Sequence, residues 1–205
     1  MNQITLYGQL VDYPKQASVD KRGKAYYKLH IASERESGIV DTLPVLLEEG
    51  TDAYNYLVEL DSKKDITGLM FLIEGRVHTR SYRTKNGSNQ LNITVRAETI
   101  EERSEYSENT NAVGMIANVC KMKGMRITPR GIRITDIMLM CGPDYIPAIA
   151  WNGTAIRVAE RLQKGDKIFL QGRLQSRRYR KELKNGETEY RTCYELSIER
   201  YENVN

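Results

Sequence analysis

Apolar and polar residues alternate through most of the chain, and the alternation predicts strands over Ile4–Leu10, Tyr26–Ser33, Thr42–Leu47, Ala112–Val119, Ile132–Met140 and Tyr145–Trp151. Met125–Thr128 reads as a further short strand, joined to the next through the turn Pro129-Arg130-Gly131. Two stretches break the rule and space their apolar residues as helices do. Thr51–Leu60 is expected to start at Thr51 or Asp52 and to turn Tyr56, Leu57 and Leu60 inward. Gly153–Gln163 is expected to bury Ile156, Ala159 and Leu162.

The longest alternations are two hairpins. One runs from Leu69 to Glu98, and the other pairs Ile168–Arg180 with Tyr190–Glu199. Each turns at an Asn-Gly pair, Asn86-Gly87 and Asn185-Gly186, where both residues tolerate the positive φ that a tight hairpin needs. Phe71–Arg83 and Phe169–Arg180 match once one residue near the start is allowed for. The repeated unit is therefore about 100 residues, the size of a domain and not of a solenoid repeat. Each copy reads strand, strand, strand, helix, strand, strand. That order predicts an all-β fold of two tandem five-stranded barrels of the oligonucleotide-binding (OB) class, each with a short helix between strands 3 and 4. The domains are expected at 1–100 and 110–205, with the acidic stretch 101–109 as linker.

The repeat does not extend to charge. Residues 1–106 hold 14 Lys and Arg against 16 Asp and Glu, whereas residues 107–205 hold 17 against 11, so the net +4 of the whole chain comes from the second half. A basic half points to an anionic polymer met mainly there. On the second hairpin, Arg173, Gln175, Arg177 and Tyr179 share one face by alternation, while Ile168, Leu170, Gly172 and Leu174 share the other. Guanidinium groups around an aromatic ring suit a phosphodiester backbone and a stacked base. Arg126, Arg130 and Arg133 sit on a hairpin at the expected barrel rim, and Arg76, Arg80 and Tyr82 occupy the matching positions of the first hairpin.

Several chemistries find no residues. There is no phosphate-binding Gly-x-x-x-x-Gly-Lys-Ser/Thr loop, no Gly-x-Ser-x-Gly turn and no His-Glu-x-x-His pattern, so no enzyme and no cofactor are expected. Cys120, Cys141 and Cys193 form no Cys-x-x-Cys pair and read as buried free thiols, with no metal site. No apolar run is long enough to span a bilayer and the N-terminus lacks a secretory pattern, so the expected location is the cytoplasm, away from membranes.

Three stretches of the second half, Asp144–Trp151, Leu162–Asp166 and Gln171–Tyr179, resemble the bacterial and phage single-stranded DNA-binding proteins. In the first half Asn2–Leu10, Asp41–Leu47 and Ile73–Tyr82 do so more faintly. The resemblance implies OB folds assembled in fours, hence a homodimer of this two-fold chain. It implies that Tyr145, Trp151 and Tyr179 stack bases and that Arg173 and Arg177 meet the backbone; Arg178 and Arg180, on the same strand, are further basic candidates, although alternation keeps the four from sharing one face. Sequence-independent binding and protection of single-stranded DNA in replication, recombination or repair is the function it implies. RNA stays open as the bound polymer, because bases stack on aromatics in either case.

The first half departs from that pattern. Aligning Pro44 with Pro147 places Thr42 at the position of Tyr145 and Glu48 at that of Trp151, so a weaker or assembly role is expected there. The long tail with an acidic tip, through which family members recruit replication and repair proteins, is not seen after Tyr201. The competing reading is an accessory OB module for replication restart or recombination, whose aromatics meet protein.

Overall fold

Both hairpins form, and they are the longest strands of the molecule. The computed structural model describes residues 1–83, 87, 89–105, 111–182 and 186–204, with the side chain of Lys181 left aside. The first half runs β1 (Asn2–Leu10), β2 (Lys15–Val19), β3 (Ala25–Glu34), β4 (Val40–Glu48), α1 (Asp52–Lys63), β5 (Met70–Arg83) and β6 (Asn89–Glu102). The second runs β7 (Asn111–Met122), β8 (Arg126–Ile127), β9 (Arg133–Cys141), β10 (Asp144–Trp151), α2 (Asn152–Arg161), β11 (Lys167–Glu182) and β12 (Thr188–Asn203). Asn86, Asn185 and residues 106–109 of the expected linker lie outside the described residues. Gly87 and Gly186 have φ of 77° and 82°, the left-handed values that the two turns were expected to need.

Strand pairing in each half makes a circuit. β1 pairs with β3, β3 with β4, β4 with β6 in parallel, β6 with β5, and β5 with β1 again. β7, β9, β10, β12 and β11 repeat it, including the parallel pair β10–β12. The OB arrangement read from the sequence is therefore present in both halves. β2 and β8 are short additional strands that lengthen the hairpins leading into β3 and β9. Each long hairpin also carries one bulge, at Glu74/Gly75 and at Gln171/Gly172. There the partner strand comes so near that a Cβ on Gly75 would strike the Arg96 carbonyl, and one on Gly172 the Ser197 carbonyl.

The halves are joined edge to edge. β1 pairs antiparallel with β7 from Asn2↔Met115 to Leu6↔Asn111, and the described strands form one 12-stranded sheet. Asn2 and Asn111 are equivalent: Asn2 exchanges two hydrogen bonds with the Val77 backbone (2.8 and 3.0 Å), and Asn111 does the same with Leu174 (2.6 and 3.1 Å). By that equivalence Ile4 corresponds to Val113, and these two residues face each other at the middle of the pairing. A local pseudo-two-fold axis passes between them. Across it the clips are reciprocal: Asp41 accepts from the Ser176 backbone and hydroxyl (both 2.8 Å), and Asp144 accepts from those of Thr79 (2.6 and 3.1 Å).

The core follows the alternation, with corrections. The helix α1 starts at Thr51 as expected and turns Ala53 and Leu57 inward, with Leu60 partly buried, but Tyr56 falls outside that i, i+4, i+7 stripe and is exposed. In α2 the buried stripe is Ala155, Val158 and the following Leu162; Ile156 is half-buried and Ala159 exposed, since the helix opens at Asn152. Gln175, expected on the exposed face of β11, is only 3% exposed and donates to Glu195 at 3.0 Å. Adjacent Ser176 is held by Asp41 from the other half, and that junction covers the strand here. The three cysteines are half-buried rather than buried. No helix among the described residues is long and apolar enough to cross a membrane.

Candidate nucleic-acid interface

The outer face of β9–β10 carries the largest change between the halves. Tyr145, Pro147 and Trp151 share that face, paired across to Met140, Met138 and Ile134. Tyr145 is 50% exposed, and its backbone N–H donates to the Thr79 hydroxyl at 3.1 Å, so the clip that joins the halves also sets this ring. Trp151 ends β10 and precedes Asn152, whose φ of 48° lies in the left-handed region that asparagine tolerates. The chain turns there directly into α2, which leaves Trp151 half-buried at the strand–helix corner. Its Nε1 is covered and has no acceptor among the described residues, so part of the indole, not all of it, faces out.

A groove of about 320 Å³ runs past Pro147, which shares the face of Tyr145. Its floor is Ile137, Met138, Pro147 and Ala148, and its walls carry Lys121, Lys123, Arg126 and Arg177. Arg126 reaches Asp136 through two nitrogens (3.0 and 3.1 Å), and Arg177 lies 3.5 Å from Glu195. These carboxylates hold the guanidiniums in place without neutralising the rim, because both lysines remain outside the described ion pairs. Lys121 and Lys123 are not among the residues that the sequence singles out. Their signal is the alternation at the end of β7, which sends both to one face after the apolar run stops.

The other expected residues disperse along the fold. On the hairpin arm the Arg177 guanidinium lies 5.9 Å from the Tyr179 ring and that of Arg178 5.0 Å from the Tyr190 ring, while Arg180 donates to the Thr188 hydroxyl at 3.1 Å. Arg173 pairs with Glu199 at 3.3 Å, with its Nε covered and unpartnered. Arg76 repeats that contact with Glu98 at 3.4 Å. Arg130 and Arg133 are exposed on the β8–β9 hairpin, outside the groove. Arg80 is exposed on β5, and Tyr82 donates to Gln90 at 2.6 Å. The structure thus brings Arg126 and Arg177 to one groove, places Tyr145 and Trp151 on the face shared by the groove's Pro147, and spreads the rest over both arms.

Where Trp151 stands in the second half, the first has a charged knot. Glu48 pairs with Lys24 at 2.5 Å and with Arg96, whose guanidinium lies 5.5 Å from the Tyr26 ring. Burial pushes the Cys193 thiol up, despite nearby Arg177, so it stays protonated and inert beside the arm. Among the described residues no cluster of His, Cys, Asp and Glu is arranged to hold a metal ion. The site offers reversible contacts: stacking surface, apolar floor and cationic rim.

Fold and face together define an OB-class chain with one basic, aromatic-bearing surface. The family model "Single-strand binding protein family" matches residues 110–202, the half that carries this surface. The resemblance read from the sequence is borne out over those residues. Among solved structures, the wild-type single-stranded DNA binding protein from Thermus aquaticus aligns over 100% of this chain and 93% of its own, at 22% identity and a TM-score of 0.73. A deletion mutant of that protein aligns over 100% and 95%, at 22% identity and 0.74. At that identity the likeness establishes the two-fold architecture. A search of curated proteins gives no match.

Proposed function

We propose that this protein binds single-stranded DNA without sequence preference and protects it during replication, recombination or repair, in the cytoplasm and without a cofactor. The observation that carries the reading is the Tyr145 face with its groove of Lys121, Lys123, Arg126 and Arg177, in the half that matches the single-strand binding family. Residues 110–205 supply the principal surface and residues 1–100 a weaker one, because Glu48 and Thr42 replace the two aromatics. The chain acts as a homodimer presenting four OB folds, as the family resemblance implies; light scattering at micromolar concentration is expected to return twice the chain mass, and a monomer would reject the dimer.

Titration of intrinsic Trp151 fluorescence with dT, rU and duplex oligonucleotides tests the ligand. Binding to dT is expected to exceed binding to duplex by at least about tenfold and to weaken as salt rises, since each phosphate neutralised releases counterions. Equal affinity for duplex, or indifference to salt, would overturn the assignment and favour a protein-binding module. Tighter binding to rU than to dT would move it to RNA.

A further inference from the structure

Beyond Trp151 the second half carries a separate basic groove of about 510 Å³, lined by Arg157 and Arg161 of α2 and by Arg200, Tyr201, Glu202 and Asn203 of β12. Arg157 and Arg161 lie one helical turn apart on the exposed side of α2. None of the three arginines makes an ion pair with a described carboxylate, although Glu202 is close by. The wall is well fixed. Tyr201 donates to the Arg157 carbonyl at 3.0 Å, and Arg157 donates to the Thr154 hydroxyl at 2.9 Å. Thr154 in turn donates to the Glu199 carbonyl at 3.3 Å, and the Glu199 carboxylate holds Arg173 of β11. Three planar donor groups with no carboxylate to satisfy them are a site for oxygens of an anionic partner.

The repeat supplies an internal control. Gln171 pairs with Arg200 where Glu74 pairs with Thr99, and Phe169 pairs with Glu202 where Leu72 pairs with Glu101, one residue before Glu102. On that side Glu102 is tied to Lys64 at 2.6 Å and its backbone donates to the Tyr56 hydroxyl. The first half therefore has no arginine cluster here among the described residues. Among the described residues this arginine-lined groove belongs to the half with the aromatic face, and α2 connects the two: Trp151 precedes the helix, and Arg157 and Arg161 line the groove.

Resting on the function proposed above, we infer that a single strand leaving the Trp151 end of the face continues over α2 into this groove, where Arg157, Arg161 and Arg200 grip its phosphates. Continuity with the face favours a nucleic-acid backbone over an acidic protein segment. The groove extends the path followed by long strands and leaves the stacking of short ones alone.

The test compares the full chain with a variant carrying Arg157→Gln, Arg161→Gln and Arg200→Gln, after thermal melts establish that both fold. Labelled dT oligomers are used, one near the lower end of the roughly 4–16 nucleotides that an OB fold covers and one several times longer. The variant is expected to bind the short oligomer as the parent does, to bind the long one about tenfold more weakly at low salt, and to show a salt slope shallower by about 2, near 0.7 for each phosphate that is no longer neutralised. Lysine at all three positions should restore most of the slope. Unchanged affinity and slope for the long oligomer would overturn the inference, as would an equal loss for both lengths, which would make the groove part of the primary face. Loss of poly-glutamate binding with long dT unaffected would assign the groove to a protein segment instead. If the parent itself binds no dT, the proposed function fails, which is a distinct result.

Discussion

β10 ends in Trp151 and turns into a helix, whereas its counterpart β4 ends in Glu48, tied down by Lys24 and Arg96. The contrast is sharp because so much else repeats. Asn2 and Asn111 clip the same place on their hairpins, Gly75 and Gly172 admit the same close approach, and Arg76 and Arg173 reach equivalent glutamates. Contacts that hold each fold, and those that join the folds, are kept in both copies. The groups that would meet a strand are concentrated in one. The first half serves as built-in reference: the same scaffold with the binding face replaced by an ion-pair knot.

The largest effect is expected where the halves clip each other, because the two clips are not equal. Asp41 is fully buried and takes two hydrogen bonds from Arg35 (2.6 and 2.7 Å) besides those from Ser176. Asp41→Ala leaves a half-buried guanidinium and a backbone N–H without their acceptor, and is expected to cost about 3–5 kcal/mol. Asp144→Ala, which frees Thr79 and His78, should cost about 1–3 kcal/mol. Denaturant unfolding measures both; equal losses would show that Arg35 adds nothing. Burial pushes the Asp41 carboxyl up, but Arg35 and Ser176 outweigh it and hold it below the usual carboxylate range. Its folded pKa being the lower one, its stabilisation is complete above the ordinary value of 3.8 and is lost as pH falls through the folded value. Acid should therefore lower the melting temperature of the parent more steeply than that of Asp41→Asn.

Next in size are the aromatics. Tyr145→Ala and Trp151→Ala should each weaken dT binding by about 1–3 kcal/mol, the worth of a stacked base. Thr42→Ala, at the position matching Tyr145, should leave it unchanged. Tyr145 is the cleaner probe, since it stands half exposed and its loss should not move the melt. Trp151 is half-buried, so its melt must be followed alongside fluorescence anisotropy with labelled dT. If both tyrosine and tryptophan variants bind as the parent does, the face between β9 and β10 is not where bases stack.

Most of the fold could be read from alternation because each strand buries one face, and a strand slipped by one residue would expose its core side. The turns were legible through Gly87 and Gly186, whose backbone demands are local, whereas the bulges at Gly75 and Gly172 were not, since alternation alone sets Gly172 in step with Leu170 and Leu174. Of the α2 stripe, Leu162 is buried as expected, while Ile156 and Ala159 were one residue out of phase, since Asn152 starts the helix through a backbone conformation that no periodicity signals. The β1–β7 pairing and the reciprocal aspartate clips were not legible at all. Asp41 and Asp144 stood in matching Asp-x-x-Pro stretches, yet their partners lie 135 and 65 residues away in sequence. Gln175 looked like a surface residue because alternation sets it beside Arg173 and Arg177, and nothing local signals that it is buried against Glu195 next to the Ser176–Asp41 clip. In the candidate site, Arg177 was found from the alternation of its hairpin and Tyr145 from the family resemblance, while Lys121 and Lys123 join Arg177 only once β7 is laid beside β9.

The smallest expected effect tests whether the first half is a disabled copy of the binding face or a different surface altogether. Glu48→Ala removes a carboxylate from the position matching Trp151 and releases Lys24 and Arg96 from their shared partner. Both cations are partly exposed, so the stability cost should stay within about 1 kcal/mol, in the range of surface ion pairs. If phosphates pass nearby, two released cations and one lost anion should leave dT affinity unchanged or raise it by up to a few-fold, with a steeper salt dependence. The Tyr26 ring would oppose a larger gain, because the Arg96 guanidinium lies against it and need not swing outward. A clear loss of affinity would mean that the Glu48 knot positions groups that bind, and that the two halves share the strand more evenly than their faces indicate.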